Sequence, residues 1–101
     1  MSLQGTWRVN QKWGNSPSYS FDMEIAADGS VSIDGGFVGT ALQLGTLTQV
    51  SMGIANFKHH PSVTAYNGNI IGGCMGGEAL GIGASGGTVS QGEWVAVLTD
   101  I

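Results

Sequence analysis

Apolar and polar residues alternate most clearly in residues 15–28, a stretch that contains no glycine. The alternation has a period of two, which is the side-chain period of a β-strand. One face would carry Tyr19, Phe21, Met23 and Ile25, and the other face Ser20, Asp22 and Glu24. The stretch therefore predicts a half-buried strand, and the Asp28-Gly29 pair that follows predicts a hairpin turn.

The rest of the chain repeats this pattern, with turn signals about every 8 to 12 residues. A return strand follows around Val31 and Ile33, and Asn67-Gly68 predicts another hairpin turn. Further strands are expected at residues 5–10, 37–44, 47–57, 63–67, 70–75, 79–84 and 93–99, with longer loops at 10–18 and 58–61. Within them, Thr48, Val50, Met52 and Ile54 would share one face, as would Trp94, Ala96 and Leu98, opposite Val95 and Val97.

This rhythm of short strands predicts one all-β domain over residues 1–101. The expected architecture is an antiparallel up-and-down meander of about eight strands that forms a closed or nearly closed barrel. A small β-sandwich is the alternative.

Glycine accounts for 18 of the 101 residues, and residues 81–86 match the pattern G-x-G-x-x-G. A dinucleotide site needs a helix after this loop and an acidic residue about 20 positions further on. Only 15 residues follow Gly86, and they read as a turn and a strand. We therefore expect the glycines to allow bends and close strand approach within the barrel, or to allow the sheet of a second subunit to approach closely.

Charge is sparse, at 10% of the residues against about 25% in an average soluble protein. Arg8, Lys12 and Lys58 are the three basic residues and form no patch, which argues against nucleic acid as a partner. With a net charge of -4 and so few charged groups, much of the surface must be uncharged. We therefore expect part of it to be covered by a second copy of the chain in a homo-oligomer.

The sequence assigns no metal ion or cofactor. Cys74 is the single cysteine, so no intrachain disulfide can form, and its apolar surroundings predict a small buried side chain. His59 and His60 are adjacent, so they would point to opposite sides of an extended segment and could not readily hold one ion. A metal site between subunits is the alternative for this pair.

No catalytic residue is assigned either. Asp22 and Glu24 share one face of a strand about 7 Å apart, a separation found in glycosidase carboxylate pairs. They alternate with a clean apolar face, however, and are therefore expected to point to solvent. The chain has several serines, but no histidine is placed to act as their base.

The start of the chain, Met1-Ser2-Leu3, has neither the basic residues nor the apolar run of a signal peptide. The chain is thus expected to be cytoplasmic or the mature form of an exported protein. No apolar run approaches the roughly 18 residues of a membrane helix, so no membrane insertion is expected.

The segments LQGTWRVNQ (3–11), FDMEIAADGSVSIDGG (21–36) and GEWVAVL (92–98) resemble the avidin and streptavidin family of calycin barrels. The resemblance implies an eight-stranded up-and-down barrel, often tetrameric, that holds a ligand between aromatic residues at its open end. Biotin binding does not carry over, because Val9 stands where the family has asparagine. No tryptophan lies between Trp13 and Trp94, and Tyr66 is the only aromatic residue that could substitute.

In a closed meander the first and last strands are neighbours, so Trp7 and Trp94 are expected near one end of one wall. They would form either a plug or the wall of a ligand pocket. The leading hypothesis is a non-enzymatic protein that binds a small, largely apolar ligand in the mouth of the barrel. Its expected lining is Trp7, Tyr19, Phe21, Met23, Tyr66 and Trp94. A pocketless interaction or structural homo-oligomer is the alternative, and a small hydrolase or isomerase is the third hypothesis.

Overall fold

The backbone winds up and down around a closed barrel of eight antiparallel strands, and the eighth pairs with the first. The computed structural model describes residues 3–14, 17–54, 62–83 and 89–101. The strands are β1 Gly5–Trp13, β2 Tyr19–Ile25, β3 Ser30–Ile33, β4 Gly36–Leu44, β5 Leu47–Ile54, β6 Ser62–Ile71, β7 Cys74–Gly83 and β8 Val89–Asp100. The prediction of an all-β meander closed into a barrel is confirmed, and the sandwich alternative is not adopted.

Alternate side chains point into the barrel, and the predicted faces of β2 and β8 are confirmed. Met23 and Ile25 of β2 are buried, as are Trp94 and Ala96 of β8, whereas Val95 and Val97 are half exposed. On β5 the described members of the predicted face are buried, namely Thr48, Val50 and Met52. The buried apolar residues form one cluster, so one core fills the barrel.

The Asp28-Gly29 turn is present, and Gly29 takes a positive φ of 89°. The turn expected at Asn67-Gly68 is wrong, because both residues lie inside β6. The chain instead turns at Gly72 and Gly73, so the predicted strand 70–75 spans the end of β6 and the start of β7. Gly68 instead allows β6 and β7 to approach closely, since a Cβ built on it would lie 2.0 Å from the carbonyl oxygen of Gly76 on β7.

The loop expected at 10–18 is also partly wrong, because β1 continues to Trp13. The inward alternation of Trp7 and Val9 extends through Gln11 to Trp13, and the polar glutamine hides this period in the sequence. The other loop expected, at 58–61, lies outside the described residues, as do His59 and His60.

Glycine allows the strands to approach closely where the barrel bends. A Cβ built on Gly39 of β4 would lie 1.8 Å from the carbonyl oxygen of Ser51, and one on Gly77 of β7 would lie 2.1 Å from that of Asn67. Gly81 and Gly83 of the G-x-G-x-x-G pattern lie within β7, not between a strand and a helix. Positions 84–86 of the pattern lie outside the described residues.

The two ends of the barrel differ in their connections. At one end, here called the short-turn end, lie the turns 26–29, 45–46 and 72–73 together with both ends of the described chain. Leu3 is buried there, and its carbonyl oxygen accepts a hydrogen bond from Nε1 of Trp7 at 2.8 Å. At the other end, the long-loop end, β1, β5 and β7 end and β2, β6 and β8 begin, and the short turn 34–35 joins β3 to β4.

Candidate functional site

Four of the six expected lining residues form a continuous ladder of rings inside the barrel. The ring centroids of Tyr19 and Phe21 are 6.2 Å apart, and those of Phe21 and Tyr66 are 6.5 Å apart. The ring of Trp94 meets that of Tyr66 edge-on at 5.5 Å. The ladder is open to solvent at Tyr19, which is 41% exposed at the long-loop end, and is buried at Tyr66 and Trp94.

The other two expected residues, Trp7 and Met23, lie away from this ladder. They are register partners on β1 and β2, and each is only 1% exposed. The expectation that Trp7 and Trp94 share one end is wrong, because β1 and β8 are antiparallel. Trp7 lies opposite Leu98, whereas Trp94 lies opposite Gln11, four residues along β1 and thus about 13 Å away.

Trp13 is a mouth residue that the sequence analysis placed in a loop. Its indole lies over two glycines of the barrel wall, so that a Cβ on Gly92 would be 2.9 Å from Cε3 and one on Gly81 would be 3.1 Å from Cη2. Its Nε1 donates a long hydrogen bond of 3.4 Å to the hydroxyl of Tyr19. We call Trp13, Tyr19 and Phe21, with Gly81 and Gly92, the mouth cluster.

A polar pair lies one inward position below Trp13 of the mouth cluster. The hydroxyl of Tyr66 donates a hydrogen bond to Oε1 of Gln11, whose residue is 1% exposed. Nε2 of Gln11 has no hydrogen-bond partner among the described residues. Burial raises the pKa of Tyr66 well above its usual range, so the hydroxyl stays protonated and neutral at physiological pH.

Trp94 closes the ladder with its indole N–H, which is shared between two backbone carbonyls. Nε1 lies 3.2 Å from the oxygen of Asn67 on β6 and 3.1 Å from that of Glu78 on β7. These contacts fix the ring against the wall at the point where Gly68 and Gly77 bring the two strands together. The base of the ladder is thereby held rigidly beneath the rings above it.

Below the base of the ladder, buried side chains occupy the interior. Trp7, Met23 and Met52 are among the largest fully buried residues that the structure describes. Two recesses, of about 380 and 390 Å³, lie on the outer surface of the barrel to either side of Glu93 on β8. Glu93 is the register partner of Glu78 on β7 and of Lys12 on β1.

The outer surface also carries the candidate acid pair. Asp22 and Glu24 are exposed on β2, as expected, and Arg8 forms an ion pair with Asp22 at 3.0 Å. In the described ranges, no three histidine, cysteine, aspartate or glutamate residues come together as a metal site. Cys74 corrects an expectation, because it is exposed on the outer face of β7 and not buried. It follows the turn at Gly72-Gly73, where strand alternation directs it outward, opposite Val97.

The outer wall formed by β4 to β7 is nearly free of charge. Glu78 is the one charged residue in the described parts of these four strands. Large apolar side chains stand exposed on this wall at Leu42, Leu44, Leu47, Val63, Ile71, Leu80 and Ile82. The other polar side chains of this wall are neutral. For example, Nε2 of Gln49 donates a hydrogen bond to Oδ1 of Asn67 at 2.8 Å.

The described residues contain no helix long and apolar enough to cross a membrane. Comparison of the chain with protein-family models, curated proteins and solved structures gave no match. The eight-stranded antiparallel barrel agrees with a calycin or avidin-like fold at the level of strand number and order.

Proposed function

We propose that the protein is a non-enzymatic binding protein that takes a small, largely apolar ligand at the long-loop end of the barrel. The observation that carries this proposal is the aromatic ladder, which runs from the exposed ring of Tyr19 down to the buried ring of Trp94. Aromatic rings offer a large, rigid apolar surface at small cost in side-chain entropy. A ladder that opens to solvent at one end suits a flat apolar molecule.

The ligand would bind within the mouth cluster and reach no deeper than the polar pair of Gln11 and Tyr66. Buried side chains fill the interior below Tyr66 and Trp94, so a ligand would rest on the exposed side chain of Tyr19 and the partly buried side chains of Trp13 and Phe21. Eight-stranded barrels either fill their interiors or hold one small ligand, and this barrel would combine a filled base with a binding mouth. The proposal extends the avidin-like resemblance to the end at which the ligand binds, but not to biotin, because Val9 is a buried apolar residue.

Native mass spectrometry of the purified protein, followed by a denatured run, tests this function. We expect a reproducible mass above the sum of the chains that is lost on denaturation and that gives the mass of the ligand. Tyr19→Ala should reduce the bound fraction, because it removes the outermost ring of the ladder. Phe37→Ala is the matched control, since Phe37 is an aromatic residue on the outer face, 71% exposed and outside the ladder. Equal loss in both variants would contradict the assignment to the mouth.

A homo-oligomer that acts through its outer surface is the second candidate, and the uncharged wall of β4 to β7 favours it. Two copies of a neutral, apolar wall can pack without bringing like charges together. The four strands, of eight to ten residues, cover about 19 Å by 30 Å of the curved wall, which is large enough to contribute most of one side of a standard interface.

The mass of the native assembly also tests this second candidate. Leu47→Lys places a charge in the wall at a residue that is 61% exposed, and should shift a dimer or larger assembly towards monomer. Ser20→Lys is the control, because it adds the same charge on the outer face of β2. A wild-type chain that stays monomeric at high concentration would contradict the homo-oligomer.

A further inference from the structure

The side-chain amide of Gln11 is buried in the barrel with part of its hydrogen-bonding capacity unused. Its Oε1 accepts from Tyr66, but Nε2 has no partner among the described residues. An amide N–H₂ group carries two donors, and a buried donor without an acceptor is unfavourable. An acceptor that entered the barrel beside Gln11 would therefore gain a hydrogen bond without displacing a protein partner.

Gln11 lies one inward position below Trp13 of the mouth cluster. The alternation of β1 places it one inward position before Trp13, and its register partners are Tyr19 on β2 and Trp94 on β8. The amide thus faces the same aromatic ladder on which the proposed ligand would rest. Its neighbour Tyr66 stays neutral because burial raises the pKa of its hydroxyl, so the polar pair carries no net charge.

Trp13 covers this polar pair from the side of the long loops. The indole is only partly buried, and among the described residues its Nε1 donates only the long hydrogen bond to Tyr19. It rests on Gly81 and Gly92, which have no side chains to hold it. The space over the two glycines accommodates one flat ring, and that ring can be the indole of Trp13 or a ring of the ligand.

We propose that Trp13 is a displaceable cover and that Gln11 Nε2 donates a hydrogen bond to an acceptor oxygen of the ligand. The ligand class is then a flat, uncharged, apolar ring that carries a carbonyl group. This inference rests on the proposed function, because it assigns the polar contact within the same mouth. It also predicts that a charged carboxylate is a poorer ligand than a neutral carbonyl, since no described cation faces the mouth.

Acetophenone and cumene form a matched pair of probes for this contact. Both are monosubstituted benzenes with the same number of non-hydrogen atoms, but only acetophenone carries a carbonyl oxygen. We expect acetophenone to bind about five- to tenfold more tightly, as one additional buried hydrogen bond would give. The affinities can be measured by titration of a ¹⁵N-labelled chain, followed at the indole N–H of Trp13 and, in the Trp13→Ala variant, at the indole N–H of Trp94.

Gln11→Leu removes the donor, and it should abolish the preference for acetophenone while cumene still binds. Thr48→Val is the matched control, because Thr48 is also buried with an unpartnered oxygen but lies next to the turn at residues 45–46, at the short-turn end. This variant should keep the preference. Trp13→Ala should tighten both probes and leave their ratio unchanged, because it removes the cover but not the donor.

The outcomes separate the contact from the site. If neither probe shifts a resonance of the mouth cluster, both the proposed function and this inference are wrong. If both probes bind in the mouth with equal affinity, or if Gln11→Leu keeps the preference, only the assignment to Gln11 is wrong. Should Gln11→Leu fail to fold, the wild-type side-chain N–H₂ resonances decide, because acetophenone should move those of Gln11 and cumene should not.

Discussion

Gly39→Ala tests whether glycine permits the closure of the barrel. The new Cβ would lie 1.8 Å from the carbonyl oxygen of Ser51, whereas real Cβ contacts stay beyond 3.0 Å, so β4 and β5 must separate locally by about 1 Å or more. A backbone hydrogen bond near 2.9 Å does not survive such a shift. Gly39 pairs with Met52 on β5 and with Val31 on β3, so the shift disturbs pairing on both sides.

The expected cost of Gly39→Ala is about 3 kcal/mol in the free energy of unfolding. Overpacking contributes about 1–3 kcal/mol, and each weakened backbone hydrogen bond adds about 0.5–1.5 kcal/mol. For a domain of this size, this corresponds to a fall in Tm of about 12–24 °C. Urea titration followed by tryptophan fluorescence, with a parallel thermal melt, measures both quantities.

Gly53→Ala is the matched control on the neighbouring strand. A Cβ on Gly53 meets no described atom within 4 Å, and its φ is not in the left-handed region. Its unfolding free energy should stay within about 0.5 kcal/mol of the wild type or rise slightly, because alanine restricts the unfolded chain. If Gly39→Ala were as stable as Gly53→Ala, the argument from close strand approach would be refuted.

Three further substitutions test other contacts. Trp94→Phe removes the indole N–H shared by two carbonyls and part of the ring, so urea titration should show a loss of about 2 kcal/mol; an unchanged midpoint would contradict this. Tyr66 has a raised pKa when folded, so its stabilisation is complete below about pH 10 and is lost at about 1.4 kcal/mol per pH unit above it. Above about pH 10, the free energy of unfolding should therefore fall less steeply with pH in Tyr66→Phe than in the wild type. Equal slopes in the two proteins would contradict this prediction. Ser30 donates two hydrogen bonds to the carboxylate of Asp28, which lower the pKa of Asp28. These contacts stabilise the folded chain above about pH 4, and the stabilisation is lost as the pH falls through the lowered pKa. Asp28→Ala should accordingly be less stable than wild type at pH 7, and the difference should close towards about pH 2; a difference that is constant with pH would be inconsistent with the assigned contact.

The period-two alternation in the sequence predicted most of the fold, because a closed barrel buries one face of each strand. The alternation from Tyr19 to Ile25 and the Asp28-Gly29 turn predicted the β2–β3 hairpin correctly. The turn predicted at Asn67-Gly68 was wrong because a strong turn signal can also mark a close approach between strands. The local sequence does not show that Gly68 faces Gly77 across the sheet.

The candidate site was less predictable, since its members come from five strands, β1, β2, β6, β7 and β8. The ladder residues Tyr19, Phe21, Tyr66 and Trp94 were named from the sequence, but their contacts depend on the register of β1, β2, β6 and β8. Trp13 and Gln11 were missed because a buried glutamine interrupts the apolar pattern. The alternation of Trp7 and Val9, continued by two more positions, was the signal that could have found them.

The indole N–H resonances of the three tryptophans test the central claim most directly, because each reports on a different level of the barrel. Trp13 lies at the mouth, Trp94 at the base of the ladder, and Trp7 near the short-turn end with its N–H bonded to Leu3. On titration with acetophenone, the account predicts a large shift for Trp13, a smaller one for Trp94 and none for Trp7. A shift for Trp7 alone, or no shift for Trp13 at saturating acetophenone, would contradict a ligand site in the mouth.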